Sequence, residues 1–256
     1  MNGAFDLAVV GGGPAGAAAA LWAARAGLTV GLFEPQAAPI EKPCGEGILP
    51  AGVAALRELG FEALLARGQP LERIGYVLSS GRELEIPFAV AGCALERGTL
   101  SAALDAALAA EARITRIPRR VHTEATRPGF RLQCGDERWS ARTLVAADGL
   151  QGEAAHWLRR TRGAGRRYGL RARAEARKNL TRVEVHLGRH SEVYLTPLAG
   201  GRINVAVLRA QAPGEASNSA AWLAAALVEH PRAAAALGTW ITPPEARALV
   251  TAQAGE

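Results

Sequence analysis

The run Asp6-Leu7-Ala8-Val9-Val10-Gly11-Gly12-Gly13-Pro14-Ala15-Gly16 constrains this chain more than any other. A short apolar strand leads into a glycine turn and then into an alanine-rich helix. Gly11 permits the tight turn, Gly13 lets a pyrophosphate approach the backbone, and Gly16 lets helix and strand pack closely. Pro14 falls where the first helical turn needs no amide donor, and the open amides at the positive helix end suit phosphate. The next apolar run, Leu28-Thr29-Val30-Gly31-Leu32-Phe33-Glu34, reads as a second strand. Glu34 lies close to the offset of about 20 residues expected of a ribose-hydroxyl acceptor. A helix start without a ligand is the plainer reading, but consecutive glycines are costly to order. The segment has no basic leader, carries Asp6 and is broken by glycines, so it is not read as a secretory signal.

At 256 residues the chain can bury one large core or two closely joined ones. It has no apolar stretch of about 20 residues free of glycine and charge, so no membrane span is expected. Cys44, Cys93 and Cys134 are widely spaced and form no CxxC pair. That pattern suits a reducing cytoplasm and argues against structural zinc, so no metal is expected. The net charge of +6 invites a nucleic-acid reading, yet Lys42 and Lys178 are the only lysines. The densest basic stretch, Arg159-Arg160-Thr161-Arg162 through Arg166-Arg167, attracts polyanions in principle. It lacks interleaved aromatics for base stacking, so it reads as a solvated linker and no nucleic-acid partner is expected. Attraction of an acidic substrate, a carrier or an NADPH phosphate stays open for it.

Along the rest of the chain, a loop rich in Pro and Gly covers residues 35–50 and includes Glu41-Lys42-Pro43-Cys44-Gly45-Glu46-Gly47. Val53, Leu56 and Leu59 mark a helical face stopped by Gly60. Tyr76-Val77-Leu78 and Leu84-Glu85-Ile86, joined by Ser79-Ser80-Gly81-Arg82, predict a hairpin. Leu100, Leu104 and Leu108 stripe a helix over 99–112. A second hairpin turns at Gly135-Asp136 and leads into the strand Thr143–Ala147, which ends at Asp148-Gly149. Beyond the Arg-rich connection the period becomes two. Val183, Val185 and Leu187 alternate with polar residues, as do Val193 and Leu195, and Ile203, Val205 and Val207. These predict antiparallel strands with one covered face, in a sheet that can form a ligand wall. A helix capped by Ser217 or Ser219 runs through Val228 and is interrupted near Pro231. Pro243-Pro244 is expected to end the ordered pattern.

Three separated signals carry a family resemblance: the glycine turn with Glu34, the loop Lys42-Pro43-Cys44-Gly45-Glu46-Gly47-Ile48 followed by Pro50, and Leu144-Val145-Ala146-Ala147-Asp148-Gly149. The chain resembles the FAD-dependent monooxygenases and oxidoreductases of the p-hydroxybenzoate hydroxylase fold, closest to their geranylgeranyl-reductase-like branch. The resemblance implies an α/β (α+β) fold: a Rossmann-like FAD-binding domain with a parallel sheet, over residues 1–73 and 91–158, and an antiparallel substrate domain, over 74–90 and 159–256. It implies that Gly11, Gly13, Pro14, Ala15 and Gly16 hold the FAD pyrophosphate and that Glu34 holds the adenosine ribose. By the same resemblance Arg97 opens a helix beside the flavin and offers its guanidinium to phosphate or ribityl oxygens, or it is a surface charge ahead of an amphipathic helix. Cys44 and Gly45 belong to a loop near the isoalloxazine ring, where Cys44 is either a thiol tuned by Lys42 and loop amides or a small packing residue. Val121 lies on a strand whose backbone meets the adenine, or is an ordinary core valine. Asp148 closes a strand on the nucleotide side, or simply forms a turn with Gly149.

No histidine among His122, His156, His186, His190 and His230 has the partner pattern of a catalytic base, and no catalytic residue is assigned. The activity implied is NAD(P)H-driven hydroxylation, or double-bond reduction, of a hydrophobic or aromatic small molecule. Two departures stand out. Gly152 and Ala155 occupy places where the family usually has Ser and Arg, and the family's C-terminal Gly-Asp flavin motif has no counterpart beyond the hairpin pair Gly135-Asp136. The competing expectations are therefore a truncated, non-catalytic remnant, half of a split flavoprotein completed by a partner chain or an oligomer, and an NAD(P)-binding protein without flavin.

Overall fold

A computed structural model describes residues 3–149, 152, 168–209 and 219–247. The Arg-rich stretch 159–167, His156 and Ala155 lie outside the described residues. In chain order the elements are β1 (Gly3–Val10), α1 (Pro14–Arg25), β2 (Val30–Phe33), β3 (Gly47–Ile48), α2 (Pro50–Glu58), α3 (Glu62–Leu65), β4 (Gln69–Leu78) and β5 (Glu83–Ala94). They continue with α4 (Arg97–Ala110), β6 (Ile114–Ile117), β7 (His122–Ala125), β8 (Phe130–Cys134) and β9 (Glu137–Ala146). The last group is β10 (Tyr168–Ala176), β11 (Val183–Leu187), β12 (Ser191–Leu198), β13 (Arg202–Arg209), α5 (Ser219–Glu229), α6 (Pro231–Ala235) and β14 (Leu237–Arg247). Two compact units result, one from residues 1–41 and 98–161, the other from 42–97 and 162–256. This division assigns the cysteine loop, α2 and α3 to the second unit, whereas the sequence reading drew the first domain through residue 73.

The first unit is a six-stranded sheet ordered β6-β2-β1-β9-β8-β7. Its β6, β2, β1 and β9 run parallel, and β8 and β7 are added antiparallel. Leu7 pairs with Val30 and with Thr143, which aligns the ends of β1, β2 and β9. Alanines give α1 its close fit: Ala17, Ala20 and Ala24 are buried along one stripe with Leu21. The helix ends as Gly27 takes φ 87°, the left-handed conformation that completes such a terminus. A separate apolar cluster contains Phe33, Val121, Leu132 and Trp139, with the Phe33 and Trp139 rings edge to face at 5.3 Å. The two segments read from sequence as a hairpin arm at Trp139 and a strand from Thr143 are one continuous strand, β9.

The second unit is an eight-stranded sheet ordered β14-β10-β13-β12-β11-β4-β5-β3. It is antiparallel except where β11 runs parallel to β4. The predicted β4–β5 hairpin is present, as is the helix α2, which stops as Gly60 adopts φ 79°. One expectation fails here. Pro243-Pro244 does not end the order but lies inside β14: Thr242 pairs with Arg173 and Glu245 with Arg171, so both prolines face Ala172 alone in a bulge. An edge strand tolerates this because its outer side has no ladder for proline to break. The apolar alternation of β12 and β13 marks the covered face that was expected. Val193, Leu195, Ile203, Val205 and Val207 are fully buried in one core with Trp222, Leu223 and Ala226 of α5 and Ala233 of α6. The residues between them point to the other face.

Candidate functional site

The glycine turn of the first unit is a cradle whose dimensions depend on absent side chains. Gly11 has φ 103°, and a Cβ there would lie 2.3 Å from the Ala147 carbonyl oxygen and 2.7 Å from the Asp148 nitrogen. A Cβ on Gly16 would lie 1.9 Å from the Gly11 carbonyl oxygen, an impossible approach to backbone. Gly13 precedes α1 in an extended conformation with no side-chain cap, Pro14 holds the first helical position, and the first turn carries no acidic residue. The helix start therefore presents uncapped amides with no competing anion, as a phosphate requires. Ala15 is exposed in that first turn.

Glu34 follows β2 and turns its carboxylate to the mouth of this cradle. Its Oε2 accepts from the Gly12 amide at 2.8 Å and its Oε1 from the Gln36 amide at 2.8 Å. Each oxygen keeps a further acceptor site, so a ribose hydroxyl can join the bonds already made. Gly12 was not singled out in the sequence reading, yet it is what admits Glu34: a Cβ there would meet the Glu34 Cγ at 2.8 Å. Asp148, half-buried just after β9, lies beside Gly11 through its main chain. Val121 immediately precedes β7, and its side chain is 4 % exposed in the apolar cluster.

The second unit holds Cys44, Gly45 and Arg97. Here the ordering is done by side chains, and its centre is Glu46, which the sequence reading did not single out. The Glu46 side chain is fully buried. Its Oε1 accepts from Arg173 Nη2 at 2.6 Å, Arg171 Nη1 at 3.2 Å and the Arg97 amide at 3.0 Å. Arg173 also reaches Glu96 at 3.2 Å, and Arg202 pairs with the other oxygen of Glu96 at 2.6 Å. A buried carboxylate shared by two guanidinium forks suits their planar donors. Glu46 is the one non-glycine residue with positive φ among the described residues, at 56°. That conformation costs on the order of 1 kcal/mol in an L-residue.

Around it the loop is tied down at three more points. The Glu46 amide donates to Cys44 Sγ at 3.3 Å, Leu95 donates to the Glu46 carbonyl at 2.9 Å, and Asn204 Nδ2 donates to the Cys44 carbonyl at 3.0 Å. Cys44 itself is half-buried and unpaired with another sulfur, while Lys42 is exposed. Two polar atoms in this region are buried without a partner, Arg97 Nε and Asn204 Oδ1. Arg171 and Arg173 carried a legible signal: they alternate with Leu170, Ala172 and Ala174, all buried, so the arginines share the opposite face of β10. Asn204 and Thr196 stand on that same face by cross-strand pairing.

A family model described as an FAD binding domain matches residues 4–171. The chain belongs to the FAD-binding domain family. Over 89 residues it is 43% identical to the menaquinone reductase of Mycobacterium tuberculosis (strain H37Rv), a match covering 34% of this chain and 21% of that protein. The chain thus matches only about a fifth of the length of this curated relative. Among solved structures, the myxobacterial chondrochloren halogenase, a variant of the FAD-dependent halogenases, superposes with a TM-score of 0.77 at 19% identity, over 96% of this chain and 64% of the other. A geranylgeranyl bacteriochlorophyll reductase-like protein from Thermoplasma acidophilum gives 0.71 at 20% identity, over 96% and 66%. At those identities the likeness is one of fold, and it agrees with the resemblance carried by the three sequence signals. The family is one of flavin-dependent oxidoreductases, and the uncapped α1 start, the Gly11 approach and Glu34 all fit FAD as its dinucleotide.

Proposed function

We propose that this chain forms the cofactor-binding and substrate-facing part of an FAD-dependent reductase. It draws electrons from NAD(P)H and reduces a double bond in an apolar small molecule, with a quinone as the first candidate. The observation that carries the reading is the cradle itself, in which uncapped helix amides and the Glu34 carboxylate stand where a diphosphate and a ribose are recognised. Reduction is favoured over hydroxylation by the 43% identity to menaquinone reductase over 89 residues. An apolar substrate is supported by Leu78, Leu84 and Ile86 of the second unit, large side chains left between 39 % and 58 % exposed. Register places them on one face with Tyr76.

When bound, FAD supplies the two-electron chemistry. The chain's own part is binding and orientation. The α1 amides and the turn hold the diphosphate, and Glu34 accepts from the ribose hydroxyls. No described histidine is needed as a base in this reading.

The test is to titrate the purified full chain with FAD, then supply NADPH or NADH anaerobically with a short-chain menaquinone. Saturable flavin binding, bleaching of the flavin absorbance and a product heavier by two hydrogens are expected. A product that gains an oxygen atom in air, with none formed anaerobically, would replace reduction by hydroxylation. Absence of saturable flavin binding would remove the reading altogether.

A further inference from the structure

We propose that Glu46 is the positioning residue of the cysteine loop, a carboxylate latch that fixes where the Cys44 sulfur points. The geometry runs in one direction. Arg171 and Arg173 of β10 and the amide of Arg97 hold the carboxylate from three sides. The side chain so held keeps its own backbone at φ 56°. That backbone in turn aims the Glu46 amide at Cys44 Sγ and the Glu46 carbonyl at the Leu95 amide. A residue kept in an unfavourable conformation by charged partners on another strand is over-determined by its surroundings, the condition under which strain persists in proteins. Glycine, which adopts this conformation freely, flanks the position on both sides as Gly45 and Gly47, yet a glutamate occupies it. The conformation alone would favour glycine, so the residue present is there for its carboxylate.

The latch has a second tie. Asn204 Nδ2 holds the Cys44 carbonyl, and Asn204 is the cross-strand neighbour of Arg173 on β13. Cys44 is therefore gripped through its carbonyl by β13 and through its sulfur by a residue clamped to β10. A side chain merely filling space would need neither. The consequence for the reaction, a sulfur and loop held in one orientation towards bound substrate, rests on the flavin reductase reading; the latch itself does not.

The test measures alkylation of each cysteine by iodoacetamide in the full chain without added FAD, resolved by peptide mass spectrometry. Glu46→Gln keeps the size of the side chain and removes its charge; Glu46→Gly removes the carboxylate and relieves the backbone. In both, Cys44 labelling is expected to rise about tenfold, the ratio corresponding to loss of one charge-assisted hydrogen bond from the closed loop. Cys134, which lies in the other unit, and the buried Cys93 are expected to keep their wild-type rates. Arg173→Lys, which keeps charge but loses the fork, should fall between. Wild-type labelling of Cys44 in Glu46→Gly would show that the carboxylate is idle and overturn the latch. Equal acceleration of all three cysteines would overturn it too, by showing that Glu46 only supports the fold. Selective release of Cys44 in a chain that fails to bind FAD would retain the latch and reject the functional reading alone.

Discussion

In the first unit, the candidate ligand site centres on a glycine turn and Glu34, within thirty residues of each other; in the second, order around the cysteine loop comes from side chains up to 160 residues apart. The cradle is made by what is missing at Gly11, Gly12 and Gly16, and its hydrogen-bond donors are amides that exist whatever the side chains are. The latch is made by what is present at Glu46, Arg171 and Arg173, and one substitution can leave buried charge without its partner. Main-chain construction tolerates no added bulk and is indifferent to charge. Side-chain construction tolerates changes of size but responds to charge.

The largest expected effect breaks the first half of that comparison. Gly16→Val places a branched side chain where even a Cβ would sit 1.9 Å from a carbonyl oxygen. Flavin binding should be lost entirely, with the sheet of the second unit intact by proteolytic fragment mapping; retained binding would show that α1 does not need its close approach to β1. Next comes the core beneath the second sheet. Trp222 is 5 % exposed and packs among the valines of β12 and β13. Trp222→Ala should cost about 3–5 kcal/mol, read as a large fall in the chemical-denaturation midpoint. A loss near zero would mean that those valines are not a core.

Glu34→Ala should weaken FAD binding about tenfold to a hundredfold, the worth of one charged hydrogen bond of roughly 1.5–3 kcal/mol. Equilibrium titration of flavin fluorescence measures it, and unchanged affinity would detach Glu34 from the ribose. The smallest effect concerns pH and belongs to the second unit. Burial holds the His230 imidazole below its ordinary value near 6.5, and a hydrogen bond from His186 followed by Arg182 holds Glu184 below the ordinary carboxylate value of 4.5. Both groups titrate lower folded than unfolded, so the unfolded chain takes up protons first as pH falls. Their stabilisation is present above the unfolded values and is lost on acidification. The thermal midpoint should decline from pH about 7 downward, first through His230 and then through Glu184. His230→Asn should flatten the upper part of that decline; an unchanged slope would mean that the buried imidazole contributes nothing.

What the sequence disclosed follows the same division. Gly11, Gly16, Pro14 and Glu34 could be read because their reasons are local: a turn, a close approach, a helix start and a strand end lie within thirty residues of one another. The hairpins at Ser79–Arg82 and Gly135-Asp136 were legible for the same cause. So was the covered face of β12 and β13, because a period of two gathers their apolar residues on the side that α5 and α6 cover. Pro243-Pro244 misled because proline forbids a central strand, while β14 is an edge whose bulge absorbs both rings. Glu46 was passed over as one polar residue in a glycine-rich loop. Its partners at 171 and 173 lie over a hundred residues away, and only the strand register of β10 brings them beneath it.

The most direct measurement of the central claim is an FAD titration of the full chain beside its Gly16→Val and Glu34→Ala variants, followed by flavin fluorescence. Saturable binding in the unaltered protein, weakened by Glu34→Ala and abolished by Gly16→Val, is the result expected of a dinucleotide lying on the α1 cradle. Three indistinguishable curves, or none that saturates, would contradict it.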